Sequence, residues 1–305
     1  MPAVSGSARR IGRLPLDALR MRAHGRTMVK HAFGGEWTRI KLERLESYLK
    51  IYTTALKNQP FTLHYVDAFA GTGQCDDDHL SSDPLMELEA LKGSVRRALD
   101  CKDVFHEYHF NDLKLEHVQA LEELRAEYPE KVIHITQLDA NAFVTRFCGQ
   151  LRGRDRAVIF LDPYSTAVNW STLEVIARTQ KVDLWMLFPI STLLRLLPQD
   201  GPREEWQPCI ERLLGTSEWK HACYVPKQPL IEDLFGAQEA RSQRSDYEAI
   251  IQFVTVRLRE IFAHVEKPTR LTRNGGVLFL FYFLVSNPKA KTLAAKLARV
   301  TQPKR

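Results

Sequence analysis

The chain has 305 residues, 44% hydrophobic and 26% charged, a composition ordinary for a globular protein and long enough for one large core plus a helical insertion. Its longest apolar run, Val277–Val285, has strand length and falls far short of the roughly 18–20 residues that cross a membrane, so no membrane role is expected. Five scattered cysteines, with no CxxC pair and no histidine at metal-ligand spacing, argue against a zinc site and a disulfide framework and fit a reducing cytoplasm. The net charge of +6 comes from the ends. Residues 1–30 carry seven Lys/Arg against one acid and residues 289–305 carry six against none, leaving an acidic body between them.

Residues 1–33 lack sustained periodicity and are expected to form a basic arm, Arg-rich enough to resemble a transit peptide faintly. From Glu36 to Lys57, Ile40, Leu45, Leu49, Tyr52 and Leu56 fall at helical spacing until Pro60 ends the helix. Strands and helices then alternate across a core spanning 34–190. Strands are expected at Thr62–Asp67, Tyr108–Asn111, Val132–Gln137, Ala157–Leu161 and Asp183–Phe188. Helices are expected near Ser94–Leu99, at Leu115–Tyr128, around Ala142–Leu151 and at Ser171–Thr179. Apolar strands between helices indicate a parallel sheet covered on both faces. Residues 191–262 break the alternation and are expected to be a mostly helical insertion, with its clearest helix at Asp246–Phe262. In 263–305 the chain returns to strand, His264–Leu271 and Val277–Val285 around an Asn274-Gly275 turn, a strong hairpin signal, followed by a basic tail. Five parallel strands plus a C-terminal antiparallel hairpin is the class I, Rossmann-like α/β sheet of S-adenosylmethionine (SAM) methyltransferases, usually ordered 3-2-1-4-5-7-6.

The segment Val66-Asp67-Ala68-Phe69-Ala70-Gly71-Thr72-Gly73 leaves the first strand where open α/β sheets bind ligands. Gly71 and Gly73 permit close backbone approach, Asp67 can take the positive amino group of SAM, and Phe69 can contact its sulfonium region. Asp112 ends the second strand, where a carboxylate can accept ribose hydroxyls, and Asp139 follows the third, where one can accept an adenine amino group. Each alone reads more readily as an ordinary turn acid or cap; together with Asp162 after the fourth strand they favour SAM. A dinucleotide site fits less well, because the third glycine of that fingerprint is missing and Asp67 precedes the glycines.

The fourth strand runs into Asp162-Pro163-Tyr164, similar to the (D/N)PP(Y/F) signature of amino-group methyltransferases with one proline missing. Asp162 and a carbonyl of Asp162 or Pro163 can accept N–H bonds from an amino group, and Tyr164 can stack on a base. A strand-ending turn with Tyr164 packed at the sheet edge is the plain alternative. Pro208-Cys209 looks like the nucleophile dipeptide of cytosine-C5 methyltransferases but lies far beyond the fourth strand, so Cys209 is expected to be structural.

Trp37, Lys41, Leu45 and Tyr48, the Tyr65–Gly73 turn, Gly93-Ser94, Asp162-Pro163-Tyr164 with Trp170, and the strand Phe281–Asn287 together resemble the three-Cys-motif partner (TcmP) family of bacterial proteins. The likeness covers roughly 36–190 plus the last strand, departing at Thr72 and Ser165, where Pro-like and Gly-like residues are expected. It implies a SAM-dependent methyltransferase-like domain with Asp67, Gly71, Gly73 and Asp162 in the pocket and Lys41 facing the ligand. It also implies a partner bearing a three-cysteine motif associated with radical-SAM-like iron–sulfur chemistry. Three functions remain open: an N-methyltransferase, on nucleic acid gripped through the basic ends or on another amine; a SAM-binding subunit active only with its partner; and a nucleic-acid or defence module using the fold without SAM.

Overall fold

The computed structural model describes residues 36–72, 93–103, 105–226 and 242–301. Among them α1 (Glu36–Leu56) buries Leu42, Leu45, Leu49 and Tyr52 along one stripe. Fully burying a side chain of that size contributes about 1.5–3 kcal/mol, which explains why the stripe, and not propensity alone, holds the helix.

Five strands follow as β1 (Thr62–Asp67), β2 (Glu107–Asn111), β3 (Ile133–Thr136), β4 (Asp155–Leu161) and β5 (Val182–Phe188). They are joined through α2 (Ser94–Leu99), α3 (Leu115–Ala126), α4 (Ala140–Gln150) and α5 (Trp170–Thr179). All are parallel and lie in the order β3-β2-β1-β4-β5. Alternating side chains divide the core in two. Val66, Ile159, Leu184 and Met186 pack under α4, α5 and the insertion, whereas Tyr65, Phe110, Val158, Phe160 and Trp185 pack against α1 and α2. Every residue of β5 is buried, as expected of an inner strand in a covered sheet.

The insertion contributes α6 (Ile190–Leu196), a 3₁₀ turn at Glu204–Trp206, α7 (Gln207–Leu214), α8 (Trp219–Ala222) and α9 (Tyr247–Ile261). It also contains a two-stranded ribbon of β6 (Tyr224–Pro226) and β7 (Ser242–Arg244). Gly215 closes α7 at φ 67°, with its Cα against the Trp170 ring, so a side chain there would collide with the indole.

The C-terminal hairpin forms, with two differences from expectation. The strand expected at His264–Leu271 is broken into β8 (His264–Val265) and β9 (Thr269–Arg273), both paired antiparallel with β10 (Gly276–Val285). Pro268 lies in the gap, where a residue without an N–H cannot serve the ladder. Asn274 and Gly275 both have positive φ, 51° and 78°, the two-residue turn whose twist matches its strands. Part of the expected basic tail is a helix, α10 (Lys291–Val300), burying Ala294, Ala295 and Ala298. Since β10 sits between β5 and β8, the full order is β3-β2-β1-β4-β5-β10-β8, with β9 also on β10. This is the 3-2-1-4-5-7-6 order of a class I methyltransferase sheet, position 6 being split. No helix among the described residues is long and apolar enough to cross a membrane.

Candidate active site

Asp67 ends β1 fully buried, on the α1–α2 side of the sheet. Its Oδ2 accepts from Ser94 Oγ at the start of α2 (2.5 Å) and its Oδ1 from the Phe69 N–H (3.2 Å). Burial pushes its pKa up to about 7, despite the opposing pull of these two bonds; nearby Asp162 adds to the rise and Lys41 opposes it. A carboxylate this poorly balanced is made for a cation.

Phe69 is half-buried, and the turn then reaches Gly71 at φ 58°, a left-handed conformation natural to glycine. A Cβ built there meets no atom of the described residues within 4 Å. The Gly71 N–H donates to Asp112 Oδ2 (3.0 Å) and the Lys114 N–H to Asp112 Oδ1 (2.9 Å), which fixes Asp112 just past β2. His117 Nδ1 lies 3.1 Å from Asp112 Oδ1 without hydrogen-bond alignment. Gly73 lies outside the described residues.

Asp139 caps α4, its Oδ1 accepting from the Asn141 and Ala142 N–H groups (3.0 and 3.1 Å). The plain cap reading therefore accounts for one of its oxygens.

Asp162, just past β4, is bound by Lys41 of α1, with Nζ 2.5 Å from Oδ2. Lys41 is 6% exposed and rests 5.2 Å from the Trp37 ring centroid, so α1 delivers a buried ammonium to the tip of β4. Pro163 is buried, whereas Tyr164 is 67% exposed. Ser165 adopts φ 54°, which explains why the related pattern has a Gly-like residue here.

Four contributors were not foreseen. Ser94 holds Asp67. Asn111, buried at the end of β2, donates through Nδ2 to the Ala68 and Leu138 carbonyls and accepts from the Leu138 N–H, tying together the turns after β1 and β3. Its place at the end of a strand, next to Asp112, was its only signal. His117 stands beside Asp112. Cys209, despite its distance in sequence, lies against the loop after β4, with Sγ 3.3 Å from Thr166 Oγ1.

The turn therefore fits SAM on two counts: an under-balanced buried carboxylate suited to its ammonium, and a left-handed glycine whose missing side chain lets the backbone approach a ligand. Asp67, Asp112 and the Gly71 backbone are the residues that would hold it.

No protein-family model matches the sequence, and no curated protein does. Among solved structures, the chain is similar to protein LPL1258 from Legionella pneumophila, assigned to family DUF519, at 12% identity and TM-score 0.48, covering 86% of this chain and 90% of that one. It is also similar to magnesium protoporphyrin IX methyltransferase from Synechocystis with bound SAH, at 12% identity and TM-score 0.33, covering 81% and 84%. A third is a SAM-dependent methyltransferase from Clostridium acetobutylicum, at 10% identity and TM-score 0.36, covering 82% and 94%.

Proposed function

We propose that the chain is a SAM-dependent methyltransferase acting on an amino nitrogen. The observation that carries this reading is the convergence of Asp67, Asp112, Asp162 and the left-handed Gly71 turn at the carboxyl ends of β1, β2 and β4. Asp67 would take the cofactor ammonium and Asp112 the ribose hydroxyls, with Phe69 alongside. When bound, SAM supplies an electrophilic methyl group. Asp162 and the Pro163 carbonyl would accept the acceptor's N–H bonds, leaving the nitrogen lone pair free for attack, and exposed Tyr164 would stack on a planar acceptor such as a nucleobase. The basic ends would attract phosphates by counterion release.

The Lys41–Asp162 ion pair favours a second reading. With Oδ2 held by a buried ammonium, Asp162 offers an incoming amine only its other oxygen. A subunit that becomes active when a partner shifts α1 would be built this way, consistent with the resemblance to three-Cys-motif partner proteins.

Calorimetric titration with SAM, followed by transfer of labelled methyl groups to RNA, DNA and protein with and without a co-encoded three-cysteine partner, separates these readings. Binding with transfer by the isolated chain supports the enzyme, and binding with transfer only in the partner's presence supports the conditional subunit. An absence of SAM binding refutes both.

A further inference from the structure

A second polar cluster occupies the other sheet face, under α4 and toward the starting ends of the strands. His64 of β1 pairs in register with Glu107 of β2, and His109 lies two residues further along β2 on the same face. His64 Nδ1 is 3.2 Å from His109 Nε2 and 3.8 Å from Glu107 Oε2, while His109 Nε2 is 3.5 Å from the same oxygen. A tetrahedral ion with ligands at about 2.0–2.1 Å separates them by roughly 3.4 Å. The three atoms thus already form one face of such a tetrahedron.

We propose that His64 Nδ1, Glu107 Oε2 and His109 Nε2 bind one divalent transition-metal ion of the zinc class, leaving one coordination position toward solvent. Two imidazoles and one carboxylate suit zinc, cobalt or nickel better than calcium or magnesium, which prefer all-oxygen ligands.

The surroundings support the arrangement. Both rings pack on Phe147 of α4, at 5.8 and 4.9 Å between centroids, which fixes their orientation. His64 is buried, and its Nε2 has no hydrogen-bond partner among the described residues, Asp155 Oδ1 standing 3.7 Å away. A proton on that nitrogen leaves the Nδ1 lone pair aimed into the cluster, with the Asp155 carboxylate as a nearby counter-charge. On the outer side, His134 of β3 is half exposed and places Nε2 3.1 Å from Glu107 Oε2, steadying the carboxylate. His64 precedes Asp67 by three residues on one strand, about 10 Å at the usual strand rise. The ion would therefore clamp β1 to β2 and stay outside methyl transfer, so this site stands or falls independently of that reaction.

The test uses the untagged full chain, stripped with chelator and titrated with Zn²⁺ by calorimetry and with Co²⁺ by visible absorption. The expected result is one ion per chain, with Co²⁺ giving the intense bands of a four-coordinate site. His64→Gln and His109→Gln should each weaken binding by more than about 100-fold, Glu107→Gln by about tenfold, and the exposed His221→Gln not at all. Glu107 is partly exposed, so its variant reports even if a His64 variant misfolds. Substoichiometric binding by the wild type, or affinity unchanged in Glu107→Gln and His109→Gln, overturns the proposal.

Discussion

The two ends of β1 and β2 solve one problem in opposite ways. At the carboxyl ends, burial pushes an acid toward its neutral form, Asp67 rising to about 7. Nearer the starting ends, burial presses a base toward its neutral form, His109 falling to about 3 with His134 and His64 adding to the effect. A neutral imidazole keeps its lone pair and remains a good ligand. A neutral carboxyl group is a poor partner for a cation. The contrast teaches that one low-dielectric sheet can hold a ready metal-ligand set at one end and, at the other, an acid that becomes fully charged only when its cation arrives.

The sharpest way to break the tip half of this comparison is Asp162→Asn. It should lower methyl transfer by about 10²–10³-fold while SAM binding stays within about threefold in calorimetry. Chemical denaturation should also detect a stability loss of about 2 kcal/mol, because the Lys41 ammonium is left buried without its partner.

Asp67→Asn should weaken SAM about 100-fold. In the wild type, affinity should climb by up to tenfold per pH unit approaching pH 7 and then level off, since the ionised acid binds the ammonium; the variant should lack that climb. Stability gives the matching sign. A carboxyl group raised from 3.8 to about 7 contributes stability that is complete below pH 4 and lost as pH rises toward 7. Asp183, raised to about 6 by burial although Tyr48 donates to it at 2.6 Å, acts in the same direction. His109, lowered from 6.5, acts oppositely, contributing stability present above pH 6.5 and lost as pH falls toward 3. Denaturation across pH 4–7 should therefore show a net fall with rising pH in the wild type, where two acids outweigh one histidine, a steeper fall in His109→Gln, and a flatter profile in Asp67→Asn.

Gly71→Ala sharpens the comparison from the backbone. The left-handed conformation costs about 1–2 kcal/mol with a side chain, seen as a lower Tm, and the new methyl would crowd a ligand lying against this turn, weakening SAM by about tenfold in the same titration. The smallest effect belongs to His134→Gln, which touches the metal set only through Glu107. A loss of about threefold in Zn²⁺ affinity is expected, and a 100-fold loss would promote His134 to a ligand.

The sheet was legible in the sequence because its strands are buried on both faces, so β4 and β5 stand out as apolar runs ended by Asp162 and Pro189. Asp67 and Asp112 were legible by position, as acids at the ends of β1 and β2. What escaped was contact across long separations. Lys41 reaches Asp162 over 121 residues and His64 meets His109 over 45, and no local period records either pairing. The reading of no histidine at metal-ligand spacing looked along the chain, whereas the spacing that matters runs across β1 and β2. The helix at Lys291–Val300 escaped because alanines make its buried stripe, and Asp139 shows that an acid at a strand end also serves as an ordinary helix cap.

The position of β10 has a consequence for how the chain reaches its native state. Residues Leu280–Val285 pair with Asp183–Phe188, and Ser286 Oγ accepts from the Val182 N–H and donates to its carbonyl. Until that late strand arrives, β5 is an apolar edge broken only by Asp183. Translation at roughly 5–20 residues per second leaves that edge open for on the order of ten seconds, long enough to recruit a chaperone or a neighbouring nascent chain. A chain terminated before Gly276 would carry the same edge permanently and should appear in the insoluble fraction.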